Sequence, residues 1–171
     1  MIGSGQQWPV ASLGPIARAR ALGASIPSAA WTEGILDAPY GTAWPWVADL
    51  EVSVPRFDTQ VRKIRVLDRS EGAGAGPGAG PGAEKLRITA STLGIAVPFD
   101  VRLEDGFCLM QARARIYLVL MAAEPHDDGA HTRFFHLEAI PLPGTRFLRG
   151  HLQRVVDADF ANLSRLAAQG F

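Results

Sequence analysis

Residues 145–168 read TRFLRGHLQRVVDADFANLSRLAA, and the spacing of their apolar side chains decides the fold. Leu148, Leu152, Val155, Val156, Phe160, Leu163, Leu166 and Ala167 recur at steps of three and four. That places one continuous stripe on a helix of 3.6 residues per turn. Pro141, Pro143 and Gly144 stand just before it, Thr145 offers an N-cap hydroxyl, and Gly170 sits where helices stop. At about 1.5 Å per residue the helix spans roughly 35 Å, the width of a small domain. Residues 61–140 read as strand throughout. The predicted architecture is one long amphipathic helix lying on one antiparallel sheet.

Working back from the helix, the strand signals are clearest at 97–103, where Val97, Phe99, Val101 and Leu103 alternate with Pro98, Asp100 and Arg102. Period two with one apolar face means a sheet covered on one side. Segments 61–68 and 86–91 alternate in the same way. Segments 107–111 and 116–124 are nearly continuous apolar runs, so their register is not readable from pattern. Glu104-Asp105-Gly106 and Asp127-Asp128-Gly129 are turns, and 132–140 returns the chain. Nearer the N-terminus, 31–36 reads as a first strand. A short helix is predicted at about 42–50 with Thr42 as cap and Pro45 in its first turn, and a turn or second short helix at 54–57. Residues 1–28 mix glycine, proline, alanine and serine and are expected to be a loosely held arm, Arg18 and Arg20 marking the alternative of a short docked helix. The Gly/Ala/Pro run at 70–85 has little to bury and is expected to be a mobile loop within the 29–171 domain.

The 171 residues carry seventeen basic and seventeen acidic side chains, so the formal charge is zero. A nucleic-acid partner would demand a basic surplus to displace counterions from phosphates, and a membrane anchor a polybasic cluster. Neither is expected. No stretch approaches the roughly 20 apolar residues of a membrane span. Cys108 is the only cysteine and cannot close an internal disulfide, so a reducing, cytoplasmic setting is the expectation.

Strand, two short helices, six antiparallel strands and a long C-terminal helix form a specific order. It resembles the helix-grip fold of the SRPBCC superfamily, which includes START-like, Bet v 1-like and polyketide cyclase-like proteins. The residues that carry the resemblance are Ala38, Pro39, Trp44, Val47, Asp49, Leu50 and Pro55, then Val61, Val66 and Leu67. Thr132 and Arg133 on the last strand and Val155, Asp159, Leu163 and Leu166 on the helix complete it. The implied fold is α+β, a curved antiparallel sheet of about seven strands around the helix. The implied function is binding of a hydrophobic small molecule or lipid in a cavity between sheet and helix. The alternatives are a polyketide cyclase or aromatase, and a protein-interaction module with a vestigial cavity. Whether any catalysis occurs stays open, with binding without turnover preferred, and no cofactor is expected.

The candidate lining residues are Trp46, Ile64, Ile88, Val97, Phe99, Val101, Leu152, Val156 and Phe160, with the mouth near Trp44, Trp46, Gly94 and 141–144. His136 and Glu138 are two apart on a strand and share a face, so inside a cavity they would make an acid/base pair. The cheaper reading turns Phe135 and Leu137 inward and leaves His136 and Glu138 outside, and it is the one expected. Arg133 and Arg115 would anchor an anionic ligand if they faced inward, although strand arginines are usually solvated. His126, Asp127, Asp128 and His131 have ligand-type side chains, but a polar hairpin explains them, and no metal is expected. The glycines at 72, 74, 76, 78, 80 and 82 never fall in the G-x-G-x-x-G spacing, which removes a phosphate cradle. Cys108 lies in an apolar run with no activating cation beside it.

Overall fold

The computed structural model describes residues 13–71, 83–92 and 95–171. The chain begins with α1 (Pro15–Ala24), followed by β1 (Ala30–Leu36), α2 (Tyr40–Ala48) and α3 (Leu50–Phe57). Six strands come next: β2 (Lys63–Glu71), β3 (Glu84–Thr92), β4 (Ile95–Glu104), β5 (Phe107–Ala112), β6 (Leu118–His126) and β7 (His131–Ala139). The last element is α4 (Arg149–Ala168). The strands form one seven-stranded sheet in the order β1-β7-β6-β5-β4-β3-β2, every pair antiparallel. With the long helix, this is the predicted α+β helix-grip architecture.

Alternation explains β3 and β4. Leu86, Ile88, Ala90, Phe99 and Val101 are buried on the inner face, whereas Lys85, Arg87 and Asp100 are exposed on the other. In β6 all six residues from Leu118 to Ala123 are buried, because both faces of this part of the sheet are covered. On the inner face Val119, Met121 and Ala123 meet the main core. On the outer face Leu118, Leu120 and Ala122 join Phe135 and Leu137 beneath Ile16 and Ala19 of α1.

Helix α1 is therefore docked, and the expected loose arm is corrected over Pro15–Ala24; 1–12 lie outside the described residues. Gly23 lets the helix sit close, since a Cβ there would lie 2.6 Å from Leu137 Cδ1. The Arg18 guanidinium meets Glu104 at 2.8 Å, and the Ile16 amide donates to Glu124 Oε1 at 3.0 Å. Burial pushes the Glu104 carboxyl up, but Arg18 and then Arg102 outweigh it and hold it below the usual carboxylate range.

The C-terminal helix differs in its first turn. Residues Thr145–Leu148 form a 3-10 turn, and Thr145 Oγ1 donates back to the Ile140 and Leu142 carbonyls instead of capping the helix. Twenty residues remain in α4, about 30 Å of helix. Pro45 lies inside α2, which starts earlier than predicted, at Tyr40. The Gly/Ala/Pro expectation falls at 72–82, outside the described residues.

Candidate functional site

A cavity of about 230 Å³ opens on the inner face of the sheet, under α3 and the 58–61 loop that leads into β2. Ile64, Ile88, Val97, Phe99, Met110 and Val119 give it apolar walls, and half-exposed Ile116 stands at its rim. Its polar groups are acidic or neutral: Asp58, Gln60, Thr92, Tyr117 and Glu138. None of its described lining residues is Lys, Arg or His. Helix α4 contributes nothing to this lining, which corrects the expected placement between sheet and C-terminal helix.

The 58–61 loop, the β5–β6 connection and β7 build the polar end, and α4 braces it from behind. The 58–61 loop folds around Asp58, whose Oδ1 accepts from the Gln60 amide at 2.7 Å and the Val61 amide at 2.8 Å. Burial first, and then the neighbouring Asp159 and Glu138 charges, push the Asp58 carboxyl up to about 6 against those two amides. From the β5–β6 connection, the Tyr117 hydroxyl donates to Glu138 Oε2, and burial raises its pKa far above the ordinary phenol value. From α4, Asp159 Oδ1 accepts the Thr59 amide at 2.8 Å, tying the helix to the same loop.

Behind Glu138 stands His136. Its Nε2 lies 3.6 Å from Glu138 Oε1 and 3.6 Å from Asp159 Oδ2, and all three side chains are buried. The ring packs edge-on to Phe57, with centroids 6.2 Å apart. Burial lowers the affinity of the imidazole for its proton, but Asp159 and Glu138 together outweigh it and lift its pKa to about 9. His136 and Glu138 thus point inward beside Phe134, and the expected outward orientation is corrected. The physical reason is α1: Phe135 and Leu137 face outward because a helix covers them there.

Of the other candidates, Ile64, Ile88, Val97 and Phe99 line the cavity. Val101 is buried in the main core opposite Leu86 and Met110, off the cavity wall. Trp46 stacks on Phe171, with centroids 4.4 Å apart. Leu152 and Val156 pack on Ala30, and Phe160 lies over Gly34 and stacks on Phe134. Arg133 pairs with Ile35 and Glu124 on the outer face, away from the cavity. Trp44 is buried, 141–144 border a separate surface depression with Ser25 and Pro27, and Gly94 lies outside the described residues, so the expected mouth is displaced to the rim near Ile116. His126, Asp127 and His131 sit in ion-pair range on the β6–β7 hairpin. Cys108 is fully buried, and burial pushes its thiol up to about 12.

Sequence reasoning missed Asp58, Tyr117 and Asp159 as site residues. Asp159 left a signal. It falls between Val156 and Leu163 on the buried stripe of α4, where an apolar residue belongs. The other two left no pattern.

No family model and no curated protein matches this chain. Solved structures do. A START superfamily protein from Mycobacterium smegmatis superposes with a TM-score of 0.57 at 14% identity, covering 82% of this chain and 97% of that one. The Zhui aromatase/cyclase from Streptomyces sp. R1128 gives 0.52 at 16% identity, covering 82% and 93%. The protein XoxI from Bacillus cereus gives 0.60 at 8% identity, covering 82% and 95%. At such identities the likeness is one of fold. The chain has the helix-grip fold of SRPBCC proteins, which it shares with the START superfamily protein and the aromatase/cyclase. Among the described residues no helix is long and apolar enough to cross a membrane.

Proposed function

We propose that the chain binds a small hydrophobic molecule carrying a hydrogen-bond donor or a positive charge at one end. The observation that carries the reading is the lining of the 230 Å³ cavity: apolar walls, with Asp58, Tyr117 and Glu138 as its polar end and no basic residue among the described lining. A carboxylic acid entering it would meet the Asp58 and Glu138 carboxyl groups with no basic side chain among the described lining to receive it, whereas an ammonium or hydroxyl group finds acceptors. The volume also bounds the ligand. A cavity of about 150 Å³ takes up benzene, so this one suits roughly nine or ten heavy atoms. It falls below the ~300–1,000 Å³ of drug-sized sites, which disfavours a long lipid or an extended polyketide.

Native mass spectrometry of the freshly purified protein, followed by extraction of whatever it carries, tests the reading. The expected adduct is a small apolar amine or alcohol at one per chain. A stoichiometric fatty acid or long-chain lipid overturns it.

A further inference from the structure

We infer that His136, Glu138 and Asp159 form a binding site for one divalent transition-metal ion of the zinc type, held by His136 Nε2, Glu138 Oε1 and Asp159 Oδ2. One ligand atom from each of the three residues lies within 4.8 Å of the other two. Their spacing suits an ion better than a hydrogen-bond network. The two distances from Nε2 are both 3.6 Å, beyond the hydrogen-bond range. Two donors bonded to one Zn²⁺ at about 2.0–2.1 Å lie about 3.6 Å apart when the angle between them is near 120°.

The unpartnered atoms point the same way. Both ring nitrogens of His136 and Asp159 Oδ2 are buried with no hydrogen-bond partner among the described residues, although buried polar atoms are almost always paired. Each carboxylate, in contrast, spends its other oxygen on an outer partner. Glu138 Oε2 accepts from Tyr117, and Asp159 Oδ1 accepts from Thr59. One oxygen fixed from behind and one free is how outer-shell groups orient metal-binding carboxylates. His136 Nδ1 lacks such a partner, so the carboxylates do most of the orienting. The ion would offset the two carboxylates that hold it, in a place where an uncompensated charge is costly, with Asp58 as a third carboxyl group nearby. On binding, the Nε2 proton leaves to solvent. Because Glu138 also lines the cavity, the ion sits one carboxylate away from whatever the cavity holds.

The test uses the full chain, stripped with a chelator and then titrated with Co²⁺. The expected result is uptake of about one equivalent with visible absorption of low-coordinate Co²⁺, displacement by Zn²⁺, and a Zn²⁺-dependent rise in Tm. Asp159→Asn and Glu138→Gln should each weaken binding at least about tenfold, and Tyr117→Phe should weaken it less. Replacing both surface histidines, His126→Ala with His131→Ala, should leave it unchanged. No spectrum and no Zn²⁺ uptake by the wild type overturns the site. So does binding that survives Asp159→Asn but is lost with the surface histidines. Should Asp159→Asn not fold, the wild-type titration and Glu138→Gln decide.

Discussion

Replacing Asp159 with alanine tests how the site is joined to the fold. The side chain is buried in the stripe of α4 and does two things at once. Its Oδ1 accepts the Thr59 amide at 2.8 Å, and its Oδ2 faces His136 at 3.6 Å. A hydrogen bond to a charged acceptor is worth about 1.5–3 kcal/mol, and its loss strands a backbone amide beneath the helix. The His136 imidazolium would also keep one carboxylate where it had two. Removing one partner from a buried ionic cluster costs about 3–5 kcal/mol, and the two effects overlap rather than add. For a chain of 171 residues, each kcal/mol moves Tm by about 2–4 °C, so the fall should be about 6–20 °C. Urea denaturation and calorimetry of chelator-treated protein measure it. Asp157→Ala is the matched control one turn-face away. Its exposed carboxylate accepts from Thr32 Oγ1 at 2.6 Å and Gln153 Nε2 at 2.9 Å, and its removal should do far less. A loss for Asp159→Ala no larger than that of Asp157→Ala would refute the buried linkage.

Three further outcomes follow from the packing and the charges. His136 has a folded-state pKa raised from 6.5 to about 9, so in metal-free protein its contribution to stability is complete below about pH 6.5 and disappears as pH rises through 9. Urea midpoints of wild type against His136→Gln should converge over that window, and a constant difference would contradict the assignment. Gly34→Val places a Cβ where Phe160 Cζ now lies 2.5 Å away, forcing the ring off Phe134 at a cost of about 1–3 kcal/mol by the same denaturation assay. Ala19→Glu puts a charge under α1 against Leu120 and Phe135, and should free the helix from the sheet. Increased binding of a hydrophobic dye with most far-ultraviolet dichroism retained is the expected signature; an unchanged dye signal would show that α1 contributes no cover.

One element, the docked helix that the sequence offered only as the alternative marked by Arg18 and Arg20, accounts for most of what stayed hidden. The alternation at Val97, Phe99 and Val101 was legible because the outer face of β4 meets water. The face of β7 was not, because Phe135 and Leu137 are as apolar as the inward Phe134, and nothing near them says that a helix lies outside. That helix buries Ile16, Ala19 and Gly23, and with two of the three so small the buried stripe leaves almost no amphipathic signal. Once α1 covers the outer face, the parity of β7 reverses and His136 and Glu138 turn inward. Long-range placement, such as Thr59 meeting Asp159 across a hundred residues, is written in no local pattern. The lining at Ile64, Ile88, Val97 and Phe99 was readable from alternation, whereas Leu152, Val156 and Phe160 share the same helical stripe and serve only to bind α4 to β1 and β7.

The proposed ligand class depends on a cavity end that holds carboxyl groups and no basic side chain among its described lining. Nuclear magnetic resonance titration with benzylamine and with benzoate, two probes of similar size and opposite charge, tests that most directly. It predicts saturable shifts for benzylamine at the amides of Ile88, Val97, Tyr117 and Glu138, at least about tenfold tighter than for benzoate, a difference of about 1.4 kcal/mol. The shifts should vanish in Val97→Trp, which fills the space. Benzoate binding as tightly as benzylamine, or shifts that persist in Val97→Trp, would contradict it.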